Sequence, residues 1–320
     1  MTRLVLIDGH AILHRAYHAL PPLTSPSGTP VNAVYGFTSM LLSILKDLKP
    51  DFLAVAFDLP QKTFRQEMAP SYQAQRPEME DGLSCQIALL HELLDNLGIL
   101  HYSAGGFEAD DVIGTLAGQA GMRLGDRSKN QGTEVIIVTG DRDMFQLIDE
   151  NTKVCVPVRG LAETKIYDEK TVREEFGVNP SQWVDVKALK GDASDNYGGV
   201  RGIGPKTALK LIARYGSLEK LYEKLEELGK EEPKLTEKLA VGKEEAKLSQ
   251  KLATIVRDAP VKLDLAAADV AKINWPKGLG YMRGKLGFRS LAERIEKGNN
   301  HDRSACAKAA ADEEEQMKLL

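Results

Sequence analysis

Three short apolar runs in this chain each end at an aspartate. The runs 4–8, 52–58 and 135–141 have the length and the β-branched or aromatic content of buried strands. Helix-like segments lie between them, which predicts an α/β fold with a parallel sheet. Such sheets place their ligands at the carboxyl ends of the strands. We therefore expect three carboxylates to meet at one edge of the sheet: Asp8, Asp58 and Asp141.

Length and composition restrict the class of protein. With 320 residues, 42% hydrophobic and 28% charged, the chain is long enough for one large soluble domain, or a core with a smaller module. No apolar run approaches the length of a membrane span, and no signal peptide precedes the first strand. Three distant cysteines without a CxxC pair indicate reduced thiols, not a disulfide framework or a zinc site. We expect a cytoplasmic protein with no membrane contact; the cysteines are Cys85, Cys155 and Cys306.

The first 170 residues are typical of an α/β domain. Apolar residues recur at helical spacing over 11–19, 34–48 and 87–97, and a short strand is predicted over 99–102. The segment 60–83 differs, because it is polar and contains three prolines. Its weak apolar periodicity predicts either a mobile functional excursion or a disordered stretch.

From about 171 to 290 the pattern is helical with charged faces. One helix is predicted between Gly204 and Gly216, and the Lys- and Glu-rich stretch that follows is interrupted at Gly229 and Gly242. Small and polar residues predict a flexible tail over 298–320.

Acidic residues cluster close to the predicted strand ends. The run 106–111 carries three acids in four positions, and two further pairs occur in 141–143 and 192–195. Clustered carboxylates repel one another unless cations neutralise them. Oxygen ligands without neighbouring Cys or His favour Mg²⁺ or Mn²⁺, and the set is large enough for two ions. The nine predicted ligands are Asp8, Asp58, Glu108, Asp110, Asp111, Asp141, Asp143, Asp192 and Asp195.

The formal net charge of −4 hides a basic surface. Setting the nine acids aside leaves 37 of the 46 acidic residues against 42 Lys and Arg. An acidic site with basic surroundings is compatible with binding a nucleic acid.

Six motifs appear in the order found in the 5′-nuclease family. They read LIDGHAILHRAYHAL, NAVYGF, FEADDVIGTLA, TGDRDMFQL, GDASDN and GIGPKTA. The chain most resembles the 5′→3′ exonuclease domain of bacterial DNA polymerase I, with flap endonucleases as more distant relatives, and the resemblance covers residues 1 to about 290. It implies a PIN-like α/β core (1–170), a helical arch over the active site (about 60–85) and a helix–three-turn–helix DNA-binding region (171–290).

The resemblance also divides the acidic residues into two metal clusters. Asp8, Asp58, Glu108 and Asp110 match the first cluster, and Asp111 is shared between the two. The second cluster is matched by Asp141, Asp143, Asp192 and Asp195. All nine positions are retained, which implies a two-metal mechanism.

The arch departs from the family at one position. The family's Tyr-Lys-Ala-x-Arg motif reads Tyr72-Gln73-Ala74-Gln75-Arg76 here, so glutamine replaces a lysine thought to hold the scissile phosphate. Charge-assisted hydrogen bonds are roughly twice as strong as neutral ones. We therefore expect an active enzyme that is slower than relatives with the lysine. The resemblance assigns the second arch cation to Arg65 and DNA contacts to Tyr72, Gln73 and Arg76.

The glycine-rich turn predicts a contact to the DNA backbone. Glycines bring backbone amides close to a phosphate, and a helix N-terminus favours an anion. These contacts carry no sequence information, which suits recognition of DNA shape. The resemblance adds a K⁺ ion held by backbone carbonyls of the 200–204 turn. The predicted contact residues are Gly202, Gly204, Lys206, Thr207 and Lys210.

Two further patterns are less specific. His10, His14 and His18 would share a helix face. A metal site is one interpretation of them, but we favour neutral rings near DNA or packed against the core, and Arg15 is the better phosphate contact. Residues 316–320 resemble the short peptide with which bacterial proteins bind the sliding clamp. The alternative is an ordinary charged terminus.

Three functions fit these features. The first is a structure-specific 5′→3′ exonuclease or flap endonuclease of replication and repair, acting as a monomer on branched, nicked or 5′-flap DNA, or on RNA–DNA primer ends. The second is a protein that binds flaps or junctions but cleaves weakly because of Gln73. The third is a phosphatase, suggested by Ile7-Asp8-Gly9 but lacking a second Asp two positions on. The tail favours a standalone nuclease over an excised polymerase domain.

Overall fold

A six-stranded sheet forms the centre of the computed structural model, which describes residues 2–123, 132–159 and 163–297. The strand order is β3-β2-β1-β4-β5-β6, and all neighbouring pairs are parallel except β5–β6. The parallel sheet predicted from the three apolar runs is confirmed, whereas the sequence did not indicate β5 and β6. The strands are β1 (Thr2–Asp8), β2 (Phe52–Ala56), β3 (Leu100–Tyr102), β4 (Thr133–Val138), β5 (Thr152–Arg159) and β6 (Glu163–Tyr167).

Helices cover both faces of the sheet. Successive side chains of a strand point to opposite faces, so each buried strand contributes side chains to two hydrophobic cores. Leu4 of β1 belongs to one core with Leu116, and Val5 belongs to the other with Phe37 and Leu90. The helices of this domain are α1 (Gly9–Ala19), α2 (Asn32–Asp47), α3 (Phe64–Met68), α4 (Asp81–Leu97), α5 (Ala109–Arg123) and α6 (Glu169–Phe176).

The predicted elements of the first domain occur within a few residues of their expected bounds. The helix expected over 87–97 begins earlier, at Asp81, and ends at Gly98, whose φ of 69° is the left-handed conformation that glycine adopts readily. The short strand predicted over 99–102 is β3.

A second group of helices follows residue 180. The glycine-bounded helix was predicted correctly, and Gly242 separates two helices, but Gly229 lies inside a helix and does not interrupt it. The chain is instead interrupted at Glu232, before Pro233. The helices of this group are α7 (Trp183–Lys190), α8 (Pro205–Tyr215), α9 (Leu218–Glu223), α10 (Leu225–Glu231), α11 (Pro233–Val241) and α12 (Lys243–Ala253). A later helix, α13 (Trp275–Tyr281), lies outside this group.

The last described part of the chain returns to the first domain. The Leu53 N–H of β2 donates to the Ala268 carbonyl, and α13 packs on α4. Met282, Leu286 and Leu291 are buried in the same core as Val5. Residues beyond about 268 therefore complete the α/β core and do not extend the helical region.

The segment 57–80, which we call the arch segment, is held against the protein. It contains only the short helix α3, and Arg65 and Tyr72 within it are buried. The Gln73 N–H donates to the Asp195 carbonyl, and the Asn196 amide donates to the Ser71 carbonyl. Neither a mobile excursion nor a disordered stretch describes this segment, because the helical region anchors it.

Two predictions fall at the limits of the described chain. The predicted tail and its clamp-binding peptide, 298–320, lie outside the described residues, as does Cys306. Among the described helices, none is long and apolar enough to cross a membrane.

Candidate metal centre

The three strand-end aspartates are held by local hydrogen bonds. Asp8 ends β1, and its carboxylate accepts the Ala11 N–H at 3.0 Å, which caps α1, and the Thr139 hydroxyl at 2.9 Å. Asp58 follows β2 by two residues and accepts the Ala109 N–H at 2.7 Å. These bonds fix the carboxylates at the carboxyl edge of the sheet.

Asp141 follows β4 and caps the 3₁₀ helix Arg142–Leu147. Its carboxylate accepts the Asp143 N–H at 2.8 Å. The turn therefore holds both acids of the TGDRD motif close to the sheet.

Burial and mutual repulsion link the four acids of the first predicted cluster to Asp141, which the sequence analysis placed in the second cluster. Burial raises the pKa of Asp8 to about 7, and the charges of Asp58 and Asp141 add to the effect. Burial also raises the pKa of Asp110, to which Asp141, Asp8, Glu108 and Asp58 contribute. The five carboxylates are thus close enough to oppose one another's ionisation, and a bound dication would remove that cost.

Three acids form a second group with the spacing of a metal site. Asp143, Asp192 and Asp195 each offer a carboxylate oxygen, and these atoms all lie within 4.8 Å of one another. Asp192 and Asp195 come from the loop after α7, and Asp143 comes from the turn after β4. Oxygen atoms at this spacing can hold one hard cation such as Mg²⁺ or Mn²⁺.

A lysine that the sequence analysis missed lies inside this second group. Lys187 is buried, its Nζ lies 2.5 Å from Asp143 Oδ1, and it also contacts the Asp192 carboxylate. Burial opposes the charge of Lys187, but the two carboxylates outweigh it and raise its pKa. Nothing in the sequence distinguishes Lys187 from Lys190, since both are basic residues near the end of α7.

Close backbone contacts shape the loop that carries Asp192 and Asp195. A Cβ atom on Gly191 would lie 2.5 Å from the Gly199 nitrogen, and one on Gly199 would lie 2.3 Å from the Leu189 carbonyl oxygen. Gly191 also has a positive φ of 71°. Glycine at these positions lets the loop fold tightly enough to bring its carboxylates to Asp143.

Asp111 and Arg65 differ from their predicted roles. Asp111 is fully buried and forms two 2.7 Å hydrogen bonds with the Arg65 guanidinium, while its carboxylate also accepts the N–H groups of Glu108 and Val256. Arg65 donates further to the carbonyls of Leu252 and Thr254. The expected metal ligand and the expected phosphate-binding arch cation instead form a buried ion pair, because each satisfies the other away from solvent.

Glu108 lies beside this buried pair. Burial raises the pKa of Glu108 to about 7, although the Arg65 charge, 3.6 Å away, opposes that rise. Glu108 therefore lies between the ion pair and the metal centre.

The other arch residues contact the acidic groups. Tyr72, predicted to contact DNA, is buried; its hydroxyl donates to Glu108 at 3.2 Å and its ring stacks on Tyr197. The Gln73 side chain donates to Asp195 at 3.2 Å, and Arg76 forms a 2.5 Å ion pair with Asp195. Gln73 and Arg76 thus reach the second metal group, whereas Tyr72 is not accessible to DNA in this structure.

The predicted DNA-contact turn forms as expected. Gly202 has a φ of 82°, Gly204 caps the N-terminus of α8, and Lys206 is exposed. Thr207 lies in the first turn of α8 and is partly exposed. Lys210 is exposed, and its Nζ lies 3.9 Å from Glu232 Oε1. The backbone carbonyl of Val200, one of the predicted K⁺ ligands, accepts the Ile203 N–H.

Histidine and arginine residues of α1 lie beside the centre. His10 Nδ1 accepts the Asp58 N–H at 3.1 Å, so His10 positions the second strand-end acid. His14 and His18 are exposed, and Arg15 is partly buried on the same helix.

The raised pKa values predict how pH affects the metal-free protein. Asp8, Glu108 and Asp143 have pKa values of about 7 in the folded state, against 3.8 for Asp and 4.5 for Glu in an unperturbed chain. A raised folded pKa means that the stabilisation present at low pH is lost as the pH rises from about 4 to about 7. Magnesium should therefore raise the melting temperature more at about pH 7.5 than at about pH 5.

Calorimetric melting in EDTA and in Mg²⁺ at the two pH values measures this difference. If Mg²⁺ raises the melting temperature equally at both pH values, the repulsion assigned to these carboxylates is contradicted. Buffers without CaCl₂, held at constant ionic strength, control for general salt effects.

The parallel sheet, its acidic edge and the adjoining helical region define a metal-dependent nuclease fold. Family models match the chain twice: residues 3–177 match the 5′-3′ exonuclease N-terminal resolvase-like domain, and residues 178–275 match the 5′-3′ exonuclease C-terminal SAM fold. The chain belongs to the 5′-3′ exonuclease family.

Curated relatives are bacterial DNA polymerases I. The chain is 39% identical over 293 residues to that of Bacillus subtilis, covering 92% of this chain and 32% of the relative. It is 41% identical over 308 residues to that of Bacillus caldotenax, covering 96% and 34%. The chain thus spans about a third of the length of these relatives.

Solved structures with the same fold are more distant in sequence. A flap endonuclease of bacteriophage T5, in a complex with DNA and metal ions, has a TM-score of 0.60 at 18% identity and covers 92% of this chain and 98% of its own. The catalytic core of Rad2 with a DNA substrate has a TM-score of 0.55 at 17% identity, covering 91% and 90%. These structures support the fold, which was predicted correctly as a parallel-sheet core followed by a helical module.

Proposed function

We propose that this chain is a structure-specific 5′→3′ exonuclease and flap endonuclease that hydrolyses phosphodiester bonds with two divalent cations, Mg²⁺ or Mn²⁺. The observation that carries the proposal is the pairing of two acidic groups at one edge of the sheet. The first group surrounds Asp8, and the second contains Asp143, Asp192 and Asp195. A pure binding module would gain nothing from carboxylates that repel the DNA backbone.

The donor set fits hard dications. The first group would hold one ion through Asp8, Asp58, Glu108, Asp110 and Asp141, and the second through Asp143, Asp192 and Asp195. When bound, two such ions supply an activated water and charge neutralisation at the leaving oxygen. The chain's own hydrogen bonds from Ala11, Thr139 and Ala109 keep the carboxylates oriented before the ions arrive.

Lys187 adds a fixed positive charge to the second group. Its ammonium contacts Asp143 and Asp192, so it offsets part of their repulsion without occupying all of their oxygen atoms. We propose that Lys187 holds these two carboxylates in a fixed position relative to each other.

Helix α8 would bind a part of the substrate that lies at a distance from the metal centre. The exposed N-terminus of α8 with Lys206, Thr207 and Lys210 suits a duplex phosphate, and Arg15 suits a phosphate near α1. The T5 and Rad2 structures contain bound DNA. We propose that this chain binds branched, nicked or 5′-flap DNA, with RNA–DNA primer ends as a second substrate. We also propose a K⁺ ion at the 200–204 turn.

We propose a cytoplasmic monomer, and we propose that residues 316–320 bind a sliding clamp. Calorimetry with a peptide of residues 310–320 tests the clamp interaction, and an absence of binding would remove it.

Cleavage of a 5′-labelled flap tests the function directly. With Mg²⁺ or Mn²⁺ we expect short 5′ products whose length is set by the flap junction, and EDTA should abolish them. Binding of the flap without any cleavage in either metal would instead support the second candidate, a flap- or junction-binding protein. Gln73 is the observation that favours that candidate.

Replacement of Gln73 by lysine tests its effect on rate. Gln73 lies next to Asp195, so a lysine there would bring positive charge to the second acidic group. A hydrogen bond to a charged group contributes about 1 kcal/mol more than a neutral one, which corresponds to a gain of roughly fivefold to tenfold in rate. Single-turnover cleavage of a flap measures it.

Gln75→Lys is the matched control for this substitution. Gln75 is an exposed neighbour in the same turn, so its replacement adds the same charge away from Asp195. Equal rates for Gln73→Lys and the unmodified chain, or equal gains in both variants, would show that the glutamine does not limit cleavage.

A further inference from the structure

His14 and His18 form a pair of imidazoles on the exposed side of α1. Their Nε2 atoms lie 3.2 Å apart and their ring centroids 4.5 Å apart. Residues four positions apart lie on the same helix face, so the helix itself sets this separation. Neither residue contributes to the metal centre described above.

The nitrogen–nitrogen distance matches two ligands of one small transition-metal ion. Zinc–nitrogen bonds of about 2.0–2.1 Å in a tetrahedral site separate two ligand nitrogens by roughly 3.3 Å. Two histidines at positions i and i+4 of a helix also supply zinc ligands in metalloprotease helices. Imidazole nitrogens suit Zn²⁺, Cu²⁺ and Ni²⁺, whereas Mg²⁺ prefers oxygen.

Charged and aromatic neighbours surround the pair. The Glu80 carboxylate accepts the Tyr17 hydroxyl at 2.9 Å, and its charge favours a positive charge at His14, whereas Arg76 opposes it. Burial and the neighbouring His18 lower the pKa of His14, which favours the neutral ring whose nitrogen lone pair can bind a metal ion. Tyr17 packs edge-on against the His18 ring at 5.2 Å, which restricts the orientation of that ring.

We infer that His14 and His18 bind one borderline transition dication of the zinc class, at a site separate from the acidic centre. Each ring would bind through Nε2 and carry its proton on Nδ1, with water in the open positions. Among the described residues, no third side-chain ligand lies within 4.8 Å of both rings. The inference does not depend on the proposed nuclease function.

Zinc titration of the full chain in excess Mg²⁺ tests the inference. Millimolar Mg²⁺ competes for the carboxylates, calorimetry counts the Zn²⁺ that still binds, and the variants assign it to a site. We expect one Zn²⁺ equivalent that weakens at least tenfold in His14→Gln and in His18→Gln, with ¹H–¹⁵N spectra showing shifts at both imidazoles. Circular dichroism confirms that the variants fold.

His101→Gln is the matched control, because it removes an imidazole whose Nε2 is bonded to Asp95 instead. This variant should keep the zinc equivalent. Unchanged zinc binding in both His14→Gln and His18→Gln would show that the 3.2 Å contact is only a hydrogen bond between two neutral rings. Loss of the equivalent in Asp143→Asn alone would place the zinc in the acidic centre and also overturn the inference.

Discussion

Asp8→Asn should reduce single-turnover cleavage of a 5′ flap by about 100- to 1000-fold, the range for removing one group that supports transition-state charge. Asp8 ends the central strand, and its charge acts on both Asp110 and Asp141. The substitution removes a negative charge from the first acidic group, so a dication there would bind less tightly. Asparagine keeps the shape and the capping oxygen of aspartate, and α1 should remain intact.

Asp168→Asn controls for the capping role of aspartate. Asp168 caps α6 by accepting the Thr171 N–H at 2.8 Å, but it lies outside both acidic groups. Its replacement should leave the cleavage rate within about twofold, since asparagine is an equally good capping residue. Equal rates for Asp8→Asn and the unmodified chain would contradict the assignment of Asp8 to the metal centre.

The rate and the affinity for metal should change together. If Asp8 acts by holding a cation, higher Mg²⁺ should recover part of the activity of Asp8→Asn, because mass action compensates for weaker binding. A magnesium titration of the cleavage rate measures this recovery. A loss that no concentration of Mg²⁺ relieves, combined with normal folding, would indicate that Asp8 contacts the substrate and not the ion.

The sequence predicted the position of the acidic edge because strand and helix periodicities are local. The apolar runs of β1, β2 and β4 specify buried strands, and helical crossovers force those strands to be parallel. Once the strands are parallel, Asp8, Asp58 and Asp141 must share one edge. In the structure β1 pairs in parallel with both β2 and β4, and each of the three aspartates ends or follows one of these strands.

Other parts of the site could not be predicted because they depend on contacts between distant residues. Arg65 bonds to the Leu252 and Thr254 carbonyls, 187 and 189 residues further along the chain. No periodicity within the arch segment indicates that partner. The polar, proline-containing pattern therefore predicts a mobile or a disordered segment, although long-range hydrogen bonds and buried side chains hold it in place.

Lys187 illustrates a different limit. Basic residues near a helix C-terminus usually stabilise the helix dipole from the surface, and sequence alone favours that interpretation. The lysine is buried here because the loop after α7 turns back through Gly191 and brings Asp192 onto it. The fold of a loop, set by close glycine contacts, decides which of two similar lysines belongs to the site.

Arg65→Met should lower the free energy of unfolding by about 3–5 kcal/mol, the usual cost of removing one partner of a buried ion pair. Arg65 is 2% exposed and Asp111 is 0% exposed, so the substitution leaves an unpaired carboxylate that water cannot reach. It also removes the donors to the Leu252 and Thr254 carbonyls, which hold the arch segment to the C-terminal end of α12. Urea denaturation followed by circular dichroism measures the loss.

Arg76→Met provides the comparison from the same segment. Arg76 is also paired with an acid, Asp195, but its side chain is 54% exposed, and such surface pairs contribute about 0–1 kcal/mol. Arg65→Met should therefore lower the free energy of unfolding much more than Arg76→Met does. If Arg65→Met instead keeps full stability and loses only cleavage, Arg65 acts on the substrate phosphate in a conformation other than this one. The ratio of lost stability to lost rate separates a residue that holds the arch segment in place from one that contacts DNA.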